Sequence, residues 1–401
     1  MISVDEARAR IVASVVPVAA ETVGLAQAWG RVTAEPVLAR LTQPPADVSA
    51  MDGYALRQVD GAAGQSLRVI GAAPAGHPFA GRVGPGEAVR LFTGSVIPEG
   101  ADAILLQEDA ERAGDRVLVR ESVAPGRHIR RAGQDFAAGD TILPAGRRLT
   151  ARDIGLAAAG NHPWLLVRRR PRIAILSTGD EIALPGEALP AGGIVSSNAH
   201  ALAALARAAG AEAQVLPIVA DDVGAIGAAA DGARGADLLV VTGGASVGDH
   251  DLVVPALAAR GLTVAFWKIA MRPGKPLMHG RLGEMPVLGL PGNPVSALVC
   301  ALLFLLPAVD RLSGGPGAAA PTRPARLGTA LPANDGRADH LRATLSEETG
   351  ALPLATPFPL QDSAMLRTFA RADALILRPP HAPAMAAGEQ VDVIVLSALC
   401  L

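Results

Sequence analysis

The feature that most constrains this chain is a regular alternation of short apolar runs and helical patterns between residues 172 and 310. The runs RIAIL, AQVLPIV, DLLVV and PVLGL each predict a strand, and TVAFWKI predicts a further one. A helix is predicted from Asn198 to Ala209, because Asn198 can cap its start and Gly210 can end it. Strands that alternate with helices form a parallel sheet covered on both faces. The segment therefore predicts a three-layer α/β domain.

Composition divides the rest of the chain and predicts a multidomain α/β plus β protein. Gly and Pro recur through residues 44–136, which predicts an inserted β-rich module. Residues 1–43 and 137–170 flank it and favour one helical linker domain. The α/β domain takes residues 171–312, and the linker LSGGPGAAAP follows it. Residues 322–401 hold short strands and turns that predict a small β-barrel-like domain.

Charge and hydropathy exclude several classes of protein. The net charge of −2 over 401 residues gives no indication of bulk binding to nucleic acid, which needs a basic face, and leaves local basic patches open. The N-terminus is polar, so we expect no secretory signal. The apolar run at residues 295–309 is too short to span a membrane and favours a buried core helix. Cys300 and Cys400 form no disulfide or metal spacing. We expect a soluble cytoplasmic protein with neither membrane nor nucleic acid as partner.

Carboxylates, glycines and hydroxyl residues follow the predicted strands, where α/β sheets bind their ligands. In chain order they are Thr178, Gly179, Asp180, Glu181, Asp221, Asp222, Thr242, Gly243, Gly244, Ser246, Asp249 and Asp251. So many carboxylates at one sheet edge repel each other unless a cation lies among them, and Mg²⁺ prefers such oxygen ligands. For any single one, capping of the next helix is an equally good explanation.

Two glycine-containing turns and one group of cations add to this predicted ligand site. The pair Gly243–Gly244 lets backbone amides approach an anion, although a lone Gly-Gly is often a plain turn. The PGNP loop precedes the apolar helix and consists of Pro291, Gly292, Asn293 and Pro294, in which Asn293 can act as cap. The segment KIAMRPGKP supplies cations suited to an oxyanion or a phosphate, if they are not simply solvated: Lys268, Arg272 and Lys275.

The β-rich module carries further polar motifs, each weak by itself. SAMDGYAL places Asp52 in a turn before a short strand, and Thr93 follows another strand. IRRAGQDF brings Arg130, Arg131 and Asp135 together in sequence. An Asp-Gly pair is most often a hairpin turn, so these residues need other support.

A serine hydrolase is one alternative, because GASVG around Ser246 matches the nucleophile elbow and follows a strand. Asp335 and His340 would have to complete its triad. No HGGG-type oxyanion segment precedes the elbow, and both partners lie beyond the linker in another domain. The motif therefore favours a glycine turn over a nucleophile.

Nine motifs occur in order along nearly the whole chain: SAMDGYAL, FTGSVIPEGADAILLQED, IRRAGQD, ILSTGDEI, SNAHAL, VADD, TGGASVGDHD, FWKIAMRPGKP and GLPGNPVSAL. Together they resemble the molybdopterin molybdenumtransferase family, which is related to the C-terminal part of gephyrin. The resemblance implies a transferase of molybdenum cofactor biosynthesis. It implies that adenylylated molybdopterin and molybdate bind with Mg²⁺, that AMP is released, and that the two pterin sulfurs ligate molybdenum.

The resemblance also implies roles for particular residues. Asp52, Glu181, Asp221 and Asp251 would be catalytic, and the last three would place Mg²⁺ and the nucleotide. The cations Lys268, Arg272 and Lys275 would hold molybdate or phosphate. Pterin and phosphates would lie on the strand ends and the PGNP loop, at Ser177, Thr178, Gly179, Gly243, Gly244, Ser246, Pro291, Gly292, Asn293 and Pro294.

Members of the family are elongated homodimers, so Asp52, Thr93 and Asp135 would complete the site of the other protomer. The resemblance implies the molybdopterin adenylyltransferase and downstream molybdenum-cofactor enzymes as partners. Some members have lysine at the position of Arg272. Asp362 replaces a frequent glycine, which leaves the role of Ser363 open, and Arg337 rests on the short GRADHLRA match.

Three other functions are alternatives to the transferase: two related enzymes and a scaffold role. The adenylyltransferase of the same pathway and the nicotinamide-nucleotide amidase family share the α/β domain but lack the SAMDGYAL module. A scaffold role, as in gephyrin, has no long linker or fused domain to support it here.

Overall fold

A six-stranded sheet forms the centre of the molecule, whose computed structural model describes residues 1–243, 252–399 and 401. Its strand order is Glu212–Val215, Arg172–Ser177, Leu238–Thr242, Met285–Leu290, Met278–Leu282 and Leu262–Trp267. The first four strands are parallel, as predicted. The last two are antiparallel. Only two residues separate Met278–Leu282 from Met285–Leu290, and so short a turn permits only antiparallel pairing.

Helices cover both faces of this sheet, which confirms the three-layer arrangement. Ile173 and Ile175 face a core shared with helix Asn198–Ala208, through residues such as Leu202. The alternate residues Ala174 and Leu176 face the second core. That core includes side chains of two further helices, Val223–Asp231 and Val253–Ala258.

The apolar helix spans Pro294–Leu312 and includes a π-helical turn at Ala301–Leu305. It is long and apolar enough to cross a membrane, but 83% of its most apolar window is buried inside the protein. Its side chains contact the N-terminal helix Val4–Ser14 and, in the same core, Phe369 and Leu375 of the C-terminal region. It is therefore a core helix, as the sequence predicted.

The linker region contains more strand than the sequence predicted. Its helices are Leu25–Ala28 and Ala151–Ala159, the latter begun by a capping box between Thr150 and Asp153. Two antiparallel pairs accompany them: Ala20–Gly24 with Trp164–Arg168, and Val37–Leu38 with Thr141–Leu143. The strands are short and lie between turns, so they give a weak alternation signal.

The inserted module is β-rich, as predicted. Its six-stranded sheet has the order Ala103–Leu106, Gly53–Leu56, Glu87–Leu91, Ser66–Ala73, Arg116–Val119 and Ala110–Ala113. A separate pair joins Val48–Ser49 to Ile129–Arg130. Tyr54, Leu56 and Val117 are among the side chains of its core.

The C-terminal region forms a closed five-stranded barrel, which confirms the predicted barrel-like domain. Its strands are Thr322–Leu327, Ala338–Ser346, Leu354–Pro357, Ala374–Arg378 and Gln390–Val395. The ring closes because Ala338–Ser346 pairs with strands on both of its sides. A short helix, Leu366–Phe369, precedes the fourth strand.

The α/β domain has two further short strand elements outside its main sheet. They are the parallel pair Ile182–Ala183 and Ile194–Val195, and strand Met271–Arg272.

Candidate functional site

A cavity of about 1020 Å³ lies between the strand ends of the central sheet and the C-terminal barrel. We call it the site cavity. Its volume reaches the upper end of the usual range for small-molecule sites. Its lining includes the ends of strands Arg172–Ser177 and Leu238–Thr242, residues 194–198, residues 271–276, the PGNP loop, and barrel residues 361–364. Ten of the predicted site residues line it: Ser177, Glu181, Thr242, Gly243, Arg272, Lys275, Pro291, Gly292, Asn293 and Pro294.

Buried hydroxyls at the end of strand Arg172–Ser177 have no partner in the described part of the chain. Ser177 is 2% exposed and Thr178 is 1% exposed, and neither hydroxyl oxygen makes a hydrogen bond there. Most buried polar groups in proteins are hydrogen-bonded, so such exceptions indicate a missing partner. Ser177 lines the site cavity, where a ligand can supply that partner.

Gly243 brings two strand ends together at the floor of the cavity. Its φ is +91°, and an added Cβ would lie 2.4 Å from the carbonyl oxygen of Thr178. Only glycine combines that backbone conformation with so close an approach. The predicted glycine turn is therefore a structural requirement at this position. Gly244, Ser246 and Asp251, which were predicted with it, lie outside the described residues.

The predicted capping role of Asn198 is wrong, and Asn293 occupies the predicted cap position without a capping hydrogen bond from its side chain. Ser197 occupies the cap position of helix Asn198–Ala208, and Asn198 Nδ2 donates to Thr242 Oγ1 (3.0 Å) and to the carbonyl of Gly292 (2.7 Å). Asn293 occupies its cap position, but its side chain donates to Ser363 Oγ at 2.8 Å. In both residues the side-chain nitrogen donates to an acceptor from a distant segment, and no side-chain capping bond forms. Both asparagines line the site cavity.

The carboxylates divide into a capping residue and a repelling cluster. Asp222 accepts from the amide of Ala225 at 2.8 Å and caps the next helix. For this residue the alternative of helix capping, rather than metal binding, is the one observed. Partial desolvation, together with the charges of Asp180 and Glu181, raises the pKa of the Asp221 carboxyl. Glu181 lines the site cavity, whereas Asp221 does not. No three potential metal ligands gather among the described residues.

The predicted cations occupy different environments. Lys275 and Arg272 line the site cavity, whereas Lys268 does not. Arg272 makes a two-point ion pair with Asp339, at 2.9 and 2.7 Å. No carboxylate among the described residues lies within 4 Å of the Lys275 amine. Lys275 is therefore available to a ligand, whereas Arg272 already has a protein partner.

Asp52 and Thr93 of the β-rich module form a local pair. The amide and the hydroxyl of Thr93 both donate to Asp52 Oδ1 at 2.8 Å, and these bonds lower the pKa of the Asp52 carboxyl. Asp135 has no hydrogen bond to that pair, and its amide donates to Gln43. None of the three lines the site cavity of its own chain. Thr178, Gly179 and Asp221 likewise lie outside its lining.

The barrel contributes residues that the sequence left open or did not nominate. Arg337 and Ser363 line the site cavity, together with Gln361 and Asp362. The short GRADHLRA match was the only signal for Arg337. Ser363 fixes the PGNP loop, because its carbonyl also accepts from the amide of Val295 at 3.0 Å.

The triad partners nominated for a serine hydrolase do not pair with each other. Asp335 binds Arg337, with Nη2 to Oδ2 at 2.6 Å. His340 is 6% exposed, and its burial lowers its pKa to about 4. Neither arrangement resembles an acid that orients a histidine base.

Comparison with protein families first defines the class of the site. Residues 174–311 match a probable molybdopterin binding domain. Residues 2–160 match the MoeA N-terminal region (domain I and II), and residues 324–396 match the MoeA C-terminal region (domain IV). The site cavity therefore lies in a protein of the molybdopterin-binding class, between two of its matched regions.

Similar proteins define the family more closely. The chain is 39% identical over 383 residues to molybdopterin molybdenumtransferase 2 of Mycobacterium tuberculosis, covering 93% of this chain and 94% of that protein. It is 41% identical over 303 residues to the molybdopterin molybdenumtransferase of a Nostoc species, covering 73% and 70%. A molybdopterin biosynthesis MoeA structure from Pyrococcus horikoshii superposes with a TM-score of 0.85 at 30% identity, covering 98% and 99%. The chain belongs to the molybdopterin molybdenumtransferase family, a family of transferases.

The glycine turn gives a direct prediction. Gly243→Ala should destabilise the chain more than Gly235→Ala, although the two glycines have φ values of +91° and +89°. Both variants incur the cost of a left-handed conformation, about 1–2 kcal/mol. Only Gly243→Ala also forces a Cβ against a backbone oxygen, which adds about 1–3 kcal/mol, as overpacking does. Urea unfolding followed by circular dichroism measures both, and equal losses would show that the contact with Thr178 is unimportant.

Proposed function

We propose that this chain inserts molybdenum from molybdate into adenylylated molybdopterin and releases AMP, and that the site cavity is where this occurs. The observation that carries the proposal is the composition of that cavity. A glycine turn, the PGNP loop and a serine hydroxyl without a partner among the described residues line it together with cations from two domains, Arg272, Lys275 and Arg337. The family relationship over most of the chain supports the same substrate class.

The two sides of the cavity suit two parts of the substrates. On the strand-end side, Ser177 Oγ and the backbone around Gly243 can approach phosphate oxygens closely. The lining cations Lys275, Arg272 and Arg337 suit the oxygens of molybdate, since cations bind oxyanions through charge-assisted hydrogen bonds. Water attack on the adenylyl phosphorus would then break its bond to the pterin phosphate and release AMP.

Mg²⁺ fits the carboxylates at the sheet edge. Burial, and after it the charges of Asp180 and Glu181, raise the pKa of Asp221, and a divalent cation would favour its ionised form. Glu181 and Asp221, with Asp251 by family resemblance, would hold it. When bound, the ion would supply positive charge to the phosphates. Asp180 stabilises this segment by accepting from the amide of Asp221 at 3.1 Å.

A homodimer accounts for the position of the Asp52–Thr93 pair. This pair does not line the site cavity of its own chain, although the resemblance assigns Asp52, Thr93 and Asp135 to the site. In a symmetric dimer the module of one protomer can reach the cavity of its partner. We therefore propose that each site uses the α/β domain of one protomer and the β-rich module of the other.

The cellular setting follows from the same role. The upstream partner would be the molybdopterin adenylyltransferase, and the downstream partners would be enzymes that use the molybdenum cofactor. Burial of the apolar helix supports a soluble, cytoplasmic protein. We also propose the four domains predicted from the sequence, since the linker region, the β-rich module and the barrel each have a core of their own, although helix Val4–Ser14 packs in the core of the α/β domain.

Co-expression of two inactive chains tests the shared site. Asp52→Ala and Lys275→Ala should each abolish molybdenum insertion, because each removes one wall of every site. In their mixed dimer, one site carries both substitutions and the other carries neither. Random association should therefore restore about a quarter of wild-type activity per protomer, from the symmetry of the dimer. Insertion is measured as molybdenum-dependent AMP release.

Failure of the mixture to regain activity would contradict the shared site, provided that the chains associate. Asp115→Ala is the matched control, because Asp115 is an exposed aspartate of the same module that makes no side-chain hydrogen bond in the described chain. It should keep full activity.

Thermal unfolding tests the proposed magnesium site. Because folding raises the pKa of Asp221, its ionised form destabilises the folded chain at neutral pH, and this cost disappears as the pH falls through that pKa. In EDTA at pH 7, Asp221→Asn should therefore raise the melting temperature. Addition of Mg²⁺ should raise the melting temperature of the wild type more than that of Asp221→Asn.

Asp222→Ala serves as the neighbouring control. It should lose about 1 kcal/mol of stability with the helix cap but keep the full response to Mg²⁺. An equal Mg²⁺ response in Asp221→Asn and wild type would remove Asp221 from the metal site.

A further inference from the structure

One wall of the site cavity is formed by two domains that pair along their backbones. Strand Met271–Arg272 of the α/β domain runs parallel to the start of barrel strand Ala338–Ser346. The amide of Ala338 donates to the carbonyl of Ala270 at 2.9 Å. This pairing places Arg272 directly beside Asp339 in the register. The cation and the carboxylate are therefore brought together by the junction itself.

Their side chains meet in a two-point ion pair. Arg272 Nε donates to Asp339 Oδ1 at 2.9 Å, and Nη2 donates to Oδ2 at 2.7 Å. Asp339 is 4% exposed, whereas the Arg272 side chain is 48% exposed on the cavity side. Parallel contacts of this kind fix the plane of a guanidinium, which one contact does not. Nη1 takes no part in the pair with Asp339, and Arg272 lines the site cavity.

A second carboxylate continues the arrangement. Asp335 Oδ2 lies 3.8 Å from Arg272 Nη1 and 2.6 Å from Arg337 Nη2. These bonds lower the pKa of Asp335 to about 2, so it stays ionised at neutral pH. Both arginines of the cavity wall thus have a carboxylate partner from the barrel, and Lys275 has none among the described residues.

A carboxylate beside an anion site weakens anion binding by repulsion. The position of Asp339 next to such a site therefore needs another explanation. Asp339 is nearly inaccessible to a ligand, and two donor positions of Arg272 point at it. Without that partner, the half-exposed side chain of Arg272 would sample several rotamers. The geometry is that of a group that orients a cation, and the backbone pairing keeps the group in place.

We propose that Asp339 is a positioning residue, which orients the Arg272 guanidinium toward the oxyanion in the site cavity and couples the barrel to that wall. This inference rests on the proposed function, since it assigns the oxyanion, molybdate, to the wall that contains Arg272. Asp339 acts through Arg272 and does not touch the substrate.

A double-mutant cycle between Asp339 and Arg272 tests the inference. Asp339→Asn keeps the shape of the side chain but removes its charge and one of its two acceptors. We expect the KM for molybdate to rise about ten-fold, with kcat changed less than three-fold. In the Arg272→Ala background, Asp339→Asn should raise the KM no further, because no guanidinium remains to be oriented.

The same KM increase in both backgrounds, or no increase in either, would overturn the inference. Glu347→Gln is the matched control, since it removes an ion pair with Arg323 after the same barrel strand, outside the site cavity. It should leave the KM unchanged. A wild-type chain without any molybdate-dependent AMP release would instead defeat the proposed function.

Asp339→Glu covers the case in which Asp339→Asn does not fold. It keeps the charge but moves the carboxylate by one methylene, so the two contacts cannot both form at their present distances. We expect a cooperative thermal transition and a two- to five-fold higher KM for molybdate. A folded Asp339→Glu chain with the wild-type KM would overturn the inference.

Discussion

Burial of the apolar helix Pro294–Leu312 is the interaction on which the rest of the architecture depends. One hydrophobic core joins this helix to the N-terminal helix, to one face of the central sheet and to side chains of the C-terminal barrel. Each fully buried leucine in such a core contributes about 1.5–3 kcal/mol. The helix begins at the PGNP loop, so the same packing that unites the domains also positions one wall of the site cavity.

The site region contains paired charges in the cavity wall and clustered negative charges at the sheet edge. Carboxylates from the barrel bind the arginines, so the cavity wall carries oriented cations without a large excess of positive charge. At the sheet edge the balance is reversed, because Asp221 lies near two other carboxylates and has a raised pKa. A carboxylate with a raised pKa is a typical feature of functional sites. We therefore propose that the cations of the cavity wall hold an oxyanion and that the carboxylates at the sheet edge hold a metal cation.

The sequence predicted what depends on local pattern and missed what depends on distant partners. The four parallel strands and the glycine turn at Gly243 follow from periodicity and backbone geometry. Strand Met278–Leu282 was missed, because MHGRL has no clear alternation and is specified by its hairpin with the next strand. Asn198 and Asn293 looked like caps, but their partners lie 44 and 70 residues away at Thr242 and Ser363.

The most direct test of the central claim is the position of molybdenum in a crystal of this chain soaked with molybdate. Anomalous scattering at the molybdenum edge locates the metal without reference to any assumed pose. We expect a peak in the site cavity, in contact with the Lys275 amine and near the Arg272 guanidinium. A single peak elsewhere on the molecule, with the cavity empty of molybdenum, would contradict it.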